Sequence, residues 1–123
     1  MLKGFENLTH ELNESEINKV GAIIKGIGAR TGKENAITGS IICEKMNLHP
    51  VRLRKIIHFI RLHNLLFGLC SNSKGYYVAK DLKEFEDCII SLKQRIRSQV
   101  DVLNSLEQQT YMFGGCVQIS LFD

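Results

Sequence analysis

Between Leu82 and Leu106 the apolar residues recur in alternating steps of three and four: Leu82, Phe85, Ile89, Leu92, Ile96, Leu103 and Leu106, with Gln99 the one polar member of the series. That period places them on one face of a helix, and no Pro or Gly interrupts it. Asp81, with Glu84 three residues on, supplies a capping-box-like start. At about 1.5 Å per residue the helix is about 37 Å long. So long a seam exceeds what one helix of ordinary length can cover. A second copy of the chain is the favoured cover, running parallel or antiparallel, with Gln99 as the polar position that sets the register; packing against the first helix of the same subunit is the alternative.

The residues before this helix carry shorter patterns. Ile17, Val20, Ile23, Ile24 and Ile27 have helical spacing over 14–28, with Asn13 or Ser15 as cap and Gly28 near the end. A polar loop follows. Thr38 precedes a short segment, GSIICEKMN, whose inward candidates are Ile41, Ile42 and Met46. Asn47-Leu48-His49 reads as a tight turn. Pro50, the single proline, takes a favoured first helical position and opens a helix over 50–64. Two short apolar and aromatic runs, LLFGLC and YYVAK, flank the turn formers SNSKG and predict a β-hairpin.

Charge is distributed unevenly over the 123 residues. The formal net charge is +3, yet residues 25–80 hold ten basic side chains and only two acidic ones, Glu34 and Glu44, while both flanking segments are net acidic. A basic middle of this kind is the footprint of a polyanion-binding module. On the 50–64 helix, Leu53, Ile56, Ile57 and Ile60 fall within roughly 100° of one another and form a core face. Arg54, Lys55, His58 and Arg61 occupy the opposite side with Val51 and Leu62 among them, and Arg52 lies at the border. Such a stripe suits the DNA major groove. Arg forks to guanine, Lys pairs with phosphate, and an exposed Val meets a thymine methyl.

The order of helix, helix-turn-helix and β-hairpin over residues 14–80 resembles the winged helix-turn-helix family. The stretch LCSNSKGYYVAKDLKEFEDCIISLKQRI looks like the wing and following helix of small phage and prophage members. The resemblance implies a mainly α fold with a small β-hairpin: a winged helix-turn-helix domain over 1–80, then a long C-terminal helix over 81–110. It implies Pro50–Asn64 as the recognition helix and Leu66–Lys80 as the wing. Double-stranded DNA would be contacted by Val51, Arg52, Arg54, Lys55, His58 and Arg61, with Lys74 at the wing tip beside a phosphate. Lys74 is the only basic residue in that turn, fewer than a typical wing carries.

The last residues, QISLFD, resemble the bacterial sliding-clamp-binding motif Gln-Leu-Ser/Asp-Leu-Phe, with Ile119 in place of Leu. The resemblance implies that Leu121 and Phe122 enter an apolar pocket of the clamp, the DNA polymerase III beta subunit. Gln118 would be held at a second subsite, and Ile119 and Ser120 would complete the peptide. Residues 111–123 are then expected as a flexible tail with Gly114-Gly115 as its joint. The function implied is a DNA-binding protein of phage replication or its control that docks on the host clamp. The alternatives are a terminal β-strand for the tail and a dimeric winged-helix transcriptional regulator without clamp contact for the whole.

Other chemistries are poorly supplied. GIGARTGKE at 26–34 fails the phosphate-loop pattern, because Ile27 stands where Gly is needed and Glu34 where Ser or Thr is needed. The cysteines at 43, 70, 88 and 116 form no C-x-x-C pair, so they are expected as small buried hydrophobes rather than zinc ligands. No catalytic or metal-binding cluster is visible, and neither an enzyme nor a cofactor is expected. The N-terminus lacks a secretory apolar stretch, and no apolar run approaches the roughly 18 residues of a membrane span. A cytoplasmic protein is therefore expected.

Overall fold

The computed structural model describes residues 12–114. It is mainly helical, with one antiparallel hairpin and a long C-terminal helix. Helix α1 spans Glu14–Gly28 and is opened by a capping box. The Asn13 side chain accepts from the Glu16 N–H at 2.8 Å, and the Asn13 N–H donates to Glu16 Oε1 at 2.9 Å, so two donors of the first turn are satisfied together. Its buried stripe is Glu16, Val20, Ile23 and Ile27. Ile17, expected to face inward, is exposed, and a carboxylate holds the inward position of that turn instead.

Helix α2 (Gly39–Met46) is capped by the Thr38 hydroxyl, which accepts from the Ile41 N–H. Ile42 is buried, whereas Ile41 is exposed, because an eight-residue helix turns only one narrow face to the core. Asn47 ends the helix in the left-handed region at φ 53°, a conformation that Asn tolerates. Helix α3 (Pro50–Leu62) starts after His49, whose Nδ1 accepts from the Val51 N–H at 3.1 Å. It ends two residues earlier than its sequence pattern predicts. Asn64 again adopts positive φ, and the Leu65 N–H reaches back to the Ile60 carbonyl at 3.0 Å, which closes the helix. Leu53, Ile56, Ile57 and Ile60 are all buried, so the expected core face of α3 is the observed one.

Strands β1 (Leu69–Asn72) and β2 (Gly75–Val78) pair in antiparallel register, Cys70 opposite Tyr77. The segment between α1 and α2 adds two short bridges to the free edge of β2. Thr31 pairs with Val78, and Ile37 pairs with Tyr76, on either side of a 3₁₀ turn at Lys33–Asn35. The Ile37–Tyr76 pair exchanges both backbone hydrogen bonds, at 2.9 and 2.8 Å. This anchors the hairpin to the residues that lead into α2. Gly75 sits where the two backbones come closest. Its φ is 135°, and a Cβ there would lie 2.0 Å from the Ile37 carbonyl oxygen.

Helix α4 (Leu82–Gly114) has 33 residues, about 50 Å at the usual rise. It outruns the expected 25 residues because Glu107–Met112 contains no helix breaker, although the apolar repeat has lapsed. Residues 111–114 are therefore helix, not tail. The expected boundary at residue 80 also moves: the first compact unit runs to Cys88 and the second begins at Ile89. The first turn of α4 belongs to the body through Glu84, a buried carboxylate. Its backbone N–H is capped by Asp81, and its side chain accepts from the backbone N–H groups of Lys80 at 3.0 Å and Lys33 at 3.3 Å.

Of the cysteines described, Cys70 is fully buried and Cys43 and Cys88 are half-buried, all as free thiols. Burial pushes the Cys70 thiol up to about 12, assisted by the Cys88 thiol beside it. Cys116 lies outside the described residues, as does the whole 118–122 motif. Among the described residues no helix is long and apolar enough to cross a membrane, and no His/Cys/Asp/Glu group could hold a metal ion.

Gly75→Ala is expected to lower the melting temperature by roughly 10 °C or more, since the strained φ and backbone clash together cost at least about 2 kcal/mol. Gly26→Ala, with nothing within 4 Å of the added methyl, should instead stabilise by about 0.5–1 kcal/mol through helix propensity. Thermal unfolding followed by circular dichroism separates the two.

Candidate nucleic-acid interface

The side of α3 opposite its core face carries the groups that its sequence pattern places there. Val51, Arg54, His58, Arg61 and Leu62 are exposed, and Lys55 is half-buried. Arg54 makes no ion pair among the described residues. The Arg61 guanidinium donates to Ser71 Oγ at 3.2 Å, which ties the last turn of α3 to strand β1. Lys74 occupies the hairpin tip. Asn72 Oδ1 accepts from the backbone N–H groups of both Lys74 and Gly75, at 2.8 and 3.2 Å, so the turn that presents the lysine is held by an Asx contact.

Arg54 and Lys74 belong to one feature. An open groove of about 530 Å³ runs between the start of α2, the first turns of α3 and the hairpin tip. Leu53 and Tyr76 form part of its floor. Thr38, Gly39 and Ser40 line one side, Arg54 another, and Ser71, Ser73 and Lys74 the third. Two cations, several hydroxyls and the start of a helix line it, and no carboxylate does. Backbone N–H groups at a helix start, hydroxyls and cations are the donors that phosphate oxygens accept from. The sequence pattern pointed to Arg54 and Lys74 but not to Thr38, Gly39, Ser40 or the hairpin serines. Small polar residues at a helix start and in a turn carry no signal until the Ile37–Tyr76 pairing brings them together.

Arg52, also expected on DNA, has its guanidinium forked onto Glu16, with Nε donating to Oε2 and a terminal nitrogen to Oε1. The Glu16 side chain is almost completely buried, while that of Arg52 is about one-third exposed. Glu16 also accepts from the Asn13 N–H, so its oxygens are satisfied within the body. A signal for this pair does exist in the sequence. Glu16 lies on the 16-20-23-27 stripe of α1, and a carboxylate at an inward position requires a cation.

The same arrangement holds the Glu16 carboxyl below its ordinary value of 4.5. The Arg52 hydrogen bonds are the largest cause and outweigh the opposing effect of burial; the Asn13 N–H and the charges of Arg52 and Lys55 add to the lowering. A carboxylate whose value falls on folding contributes stability that is present above 4.5 and is lost as pH falls below it. Arg52→Ala leaves that carboxylate without its counter-charge, so a lower unfolding midpoint in urea is expected at pH 7. The difference should shrink toward pH 4, where a protonated Glu16 needs no cation. Urea unfolding at the two pH values measures both.

Compared with family models, with curated proteins and with solved structures, the chain matches none.

Proposed function

We propose that residues 14–88 form a winged helix-turn-helix body that binds double-stranded DNA, with α3 as the recognition helix and the β1–β2 hairpin as the wing. The observation that carries this proposal is the carboxylate-free groove in which Arg54 and Lys74 stand beside the start of α2. In this arrangement the groove takes a backbone phosphate. Val51 and His58 lie toward base edges, while Arg54, Lys55, Arg61 and Lys74 pair with phosphates. Arg52 is left out, because its fork is already filled by Glu16. The order of elements supports the same fold: three helices, then a hairpin joined by backbone bridges to the segment between the first two.

The second half of the proposal concerns Gln118, Ile119, Ser120, Leu121 and Phe122. Their likeness to the clamp-binding motif supports docking on the bacterial sliding clamp, with Leu121 and Phe122 contributing about 1.5–3 kcal/mol each on full burial. A DNA contact and a clamp contact on one chain reinforce each other through effective concentration. The protein would then act in DNA replication or its control, and the binding energy rather than any catalysed reaction would be its output.

Each phosphate contact contributes about −0.9 to the slope of log affinity against log salt. The Arg54→Ala/Lys74→Ala pair should therefore flatten that slope by about 2 and weaken binding to duplexes of any sequence. Fluorescence anisotropy with a labelled random duplex between low and moderate salt reads both effects. An unchanged slope refutes the groove as the phosphate site. For the tail, full-length protein should be retained on immobilised clamp and a version lacking residues 118–123 should not; equal retention removes the motif from the proposal.

A further inference from the structure

We propose that residues 89–114 of α4 pair with a second copy of this chain as an antiparallel coiled coil centred on Asp101. Along this stretch Leu92, Ile96, Leu103 and Leu106 are each about half exposed, at 48, 53, 52 and 54%. They line one face, and a shallow apolar groove follows it from Leu92 to Leu103. The proposal uses none of the residues assigned to DNA.

The residues that flank the seam choose both the occupant and its direction. One edge carries Lys93, Val100 and Glu107 in successive heptads, and the other carries Arg95, Val102 and Gln109. In a parallel pair, unlike edges face each other. Arg95 then lies against Val100 of the second copy, and Val102 against Glu107, so two charges meet apolar side chains and no ion pair forms. Gln99 meeting its own copy is the single favourable polar contact in that arrangement.

In an antiparallel pair, like edges face each other. With Asp101 at the centre, Ile96 packs over Leu106 of the second copy, Leu103 over Gln99, and Leu92 over Thr110. Lys93 then meets Glu107 of the second copy, and the two-fold axis repeats that pair at the other end. Val100 meets Val100 near the centre of one edge, and Val102 meets Val102 near the centre of the other. Both exposed valines, 44 and 52% accessible in the single chain, are thereby covered. The valine pairs lie at the middle of both edges; opposite charges, Lys93 and Glu107, close the ends of one edge, and Arg95 meets Gln109 at the ends of the other.

Charge reversal tests the direction. In the full-length chain, Lys93→Glu sets two carboxylates opposite each other twice per dimer, and Glu107→Lys sets two ammonium groups opposite each other. Each single variant should weaken the dimer roughly tenfold, since like charges repel about as strongly as opposite charges attract and the contact occurs twice. The Lys93→Glu/Glu107→Lys double variant should return to the wild-type dissociation constant. An equimolar mixture of the two single variants should also dimerise more tightly than either alone. Sedimentation equilibrium reads all four, and both sites are exposed, so folding is not at issue. Wild-type protein that stays monomeric at about 100 μM overturns the pairing. A double variant as weak as the single variants, or weaker, overturns the antiparallel register, because the two positions never meet in a parallel pair.

Discussion

A buried carboxylate organises the helical body. Glu16 sits in the apolar stripe of α1 and is met by the forked guanidinium of Arg52 from α3. An unpaired charge at that depth would cost several kcal/mol, so α1 and α3 are held in the one rotation that brings the two groups together. That rotation also turns Leu53, Ile56, Ile57 and Ile60 into the core. Arg54, His58 and Arg61 are left on the outside as a consequence. The ion pair thus contributes to the proposed interface without belonging to it, by fixing which side of α3 looks outward.

A second constraint acts through the backbone. The exchanged bonds between Ile37 and Tyr76 fix the hairpin to the lead into α2, and Gly75 lets the two chains approach without a side chain between them. Strands as short as these are marginal alone. Here β2 is supported on both edges, by β1 and by the bridges at Thr31 and Ile37. The hairpin tip is therefore held at a definite place beside α2 and α3, and the groove between Arg54 and Lys74 has walls from three elements. The phosphate-binding proposal depends on this arrangement, because two cations on a flexible arm would carry little selectivity for a backbone path.

The two compact units obey different rules. In the body, every buried side-chain polar atom among the described residues has a partner, and the buried apolar groups form a single core. From Ile89 onward, one apolar stripe stays half exposed. Such a stripe is a liability in water unless another surface covers it. Its flanking charges match when a second copy runs the other way, so the edges specify what the apolar face alone leaves open.

Much of this was written in local pattern. Asn13, Thr38 and Pro50 mark helix starts, the 3.6 period over 53–60 marks the core face of α3, and SNSKG marks the hairpin, because caps, turns and amphipathic periods are decided by neighbours in sequence. Where local pattern misled, a distant partner or a weaker local preference was responsible. Ile17 yielded its inward place to Glu16, Ile41 turned outward on a helix too short to bury two faces, and α4 ran on to Gly114 on helix propensity after its apolar repeat ended. Arg52 looked like its basic neighbours until Glu16, 36 residues away, claimed its guanidinium. The sequence by itself determined the elements, the basic side of α3 and the seam of α4. Only the tertiary structure decided which cations remain available to a ligand, because the pairing of Glu16 with Arg52 and the meeting of Ile37 with Tyr76 are long-range events that no local period encodes.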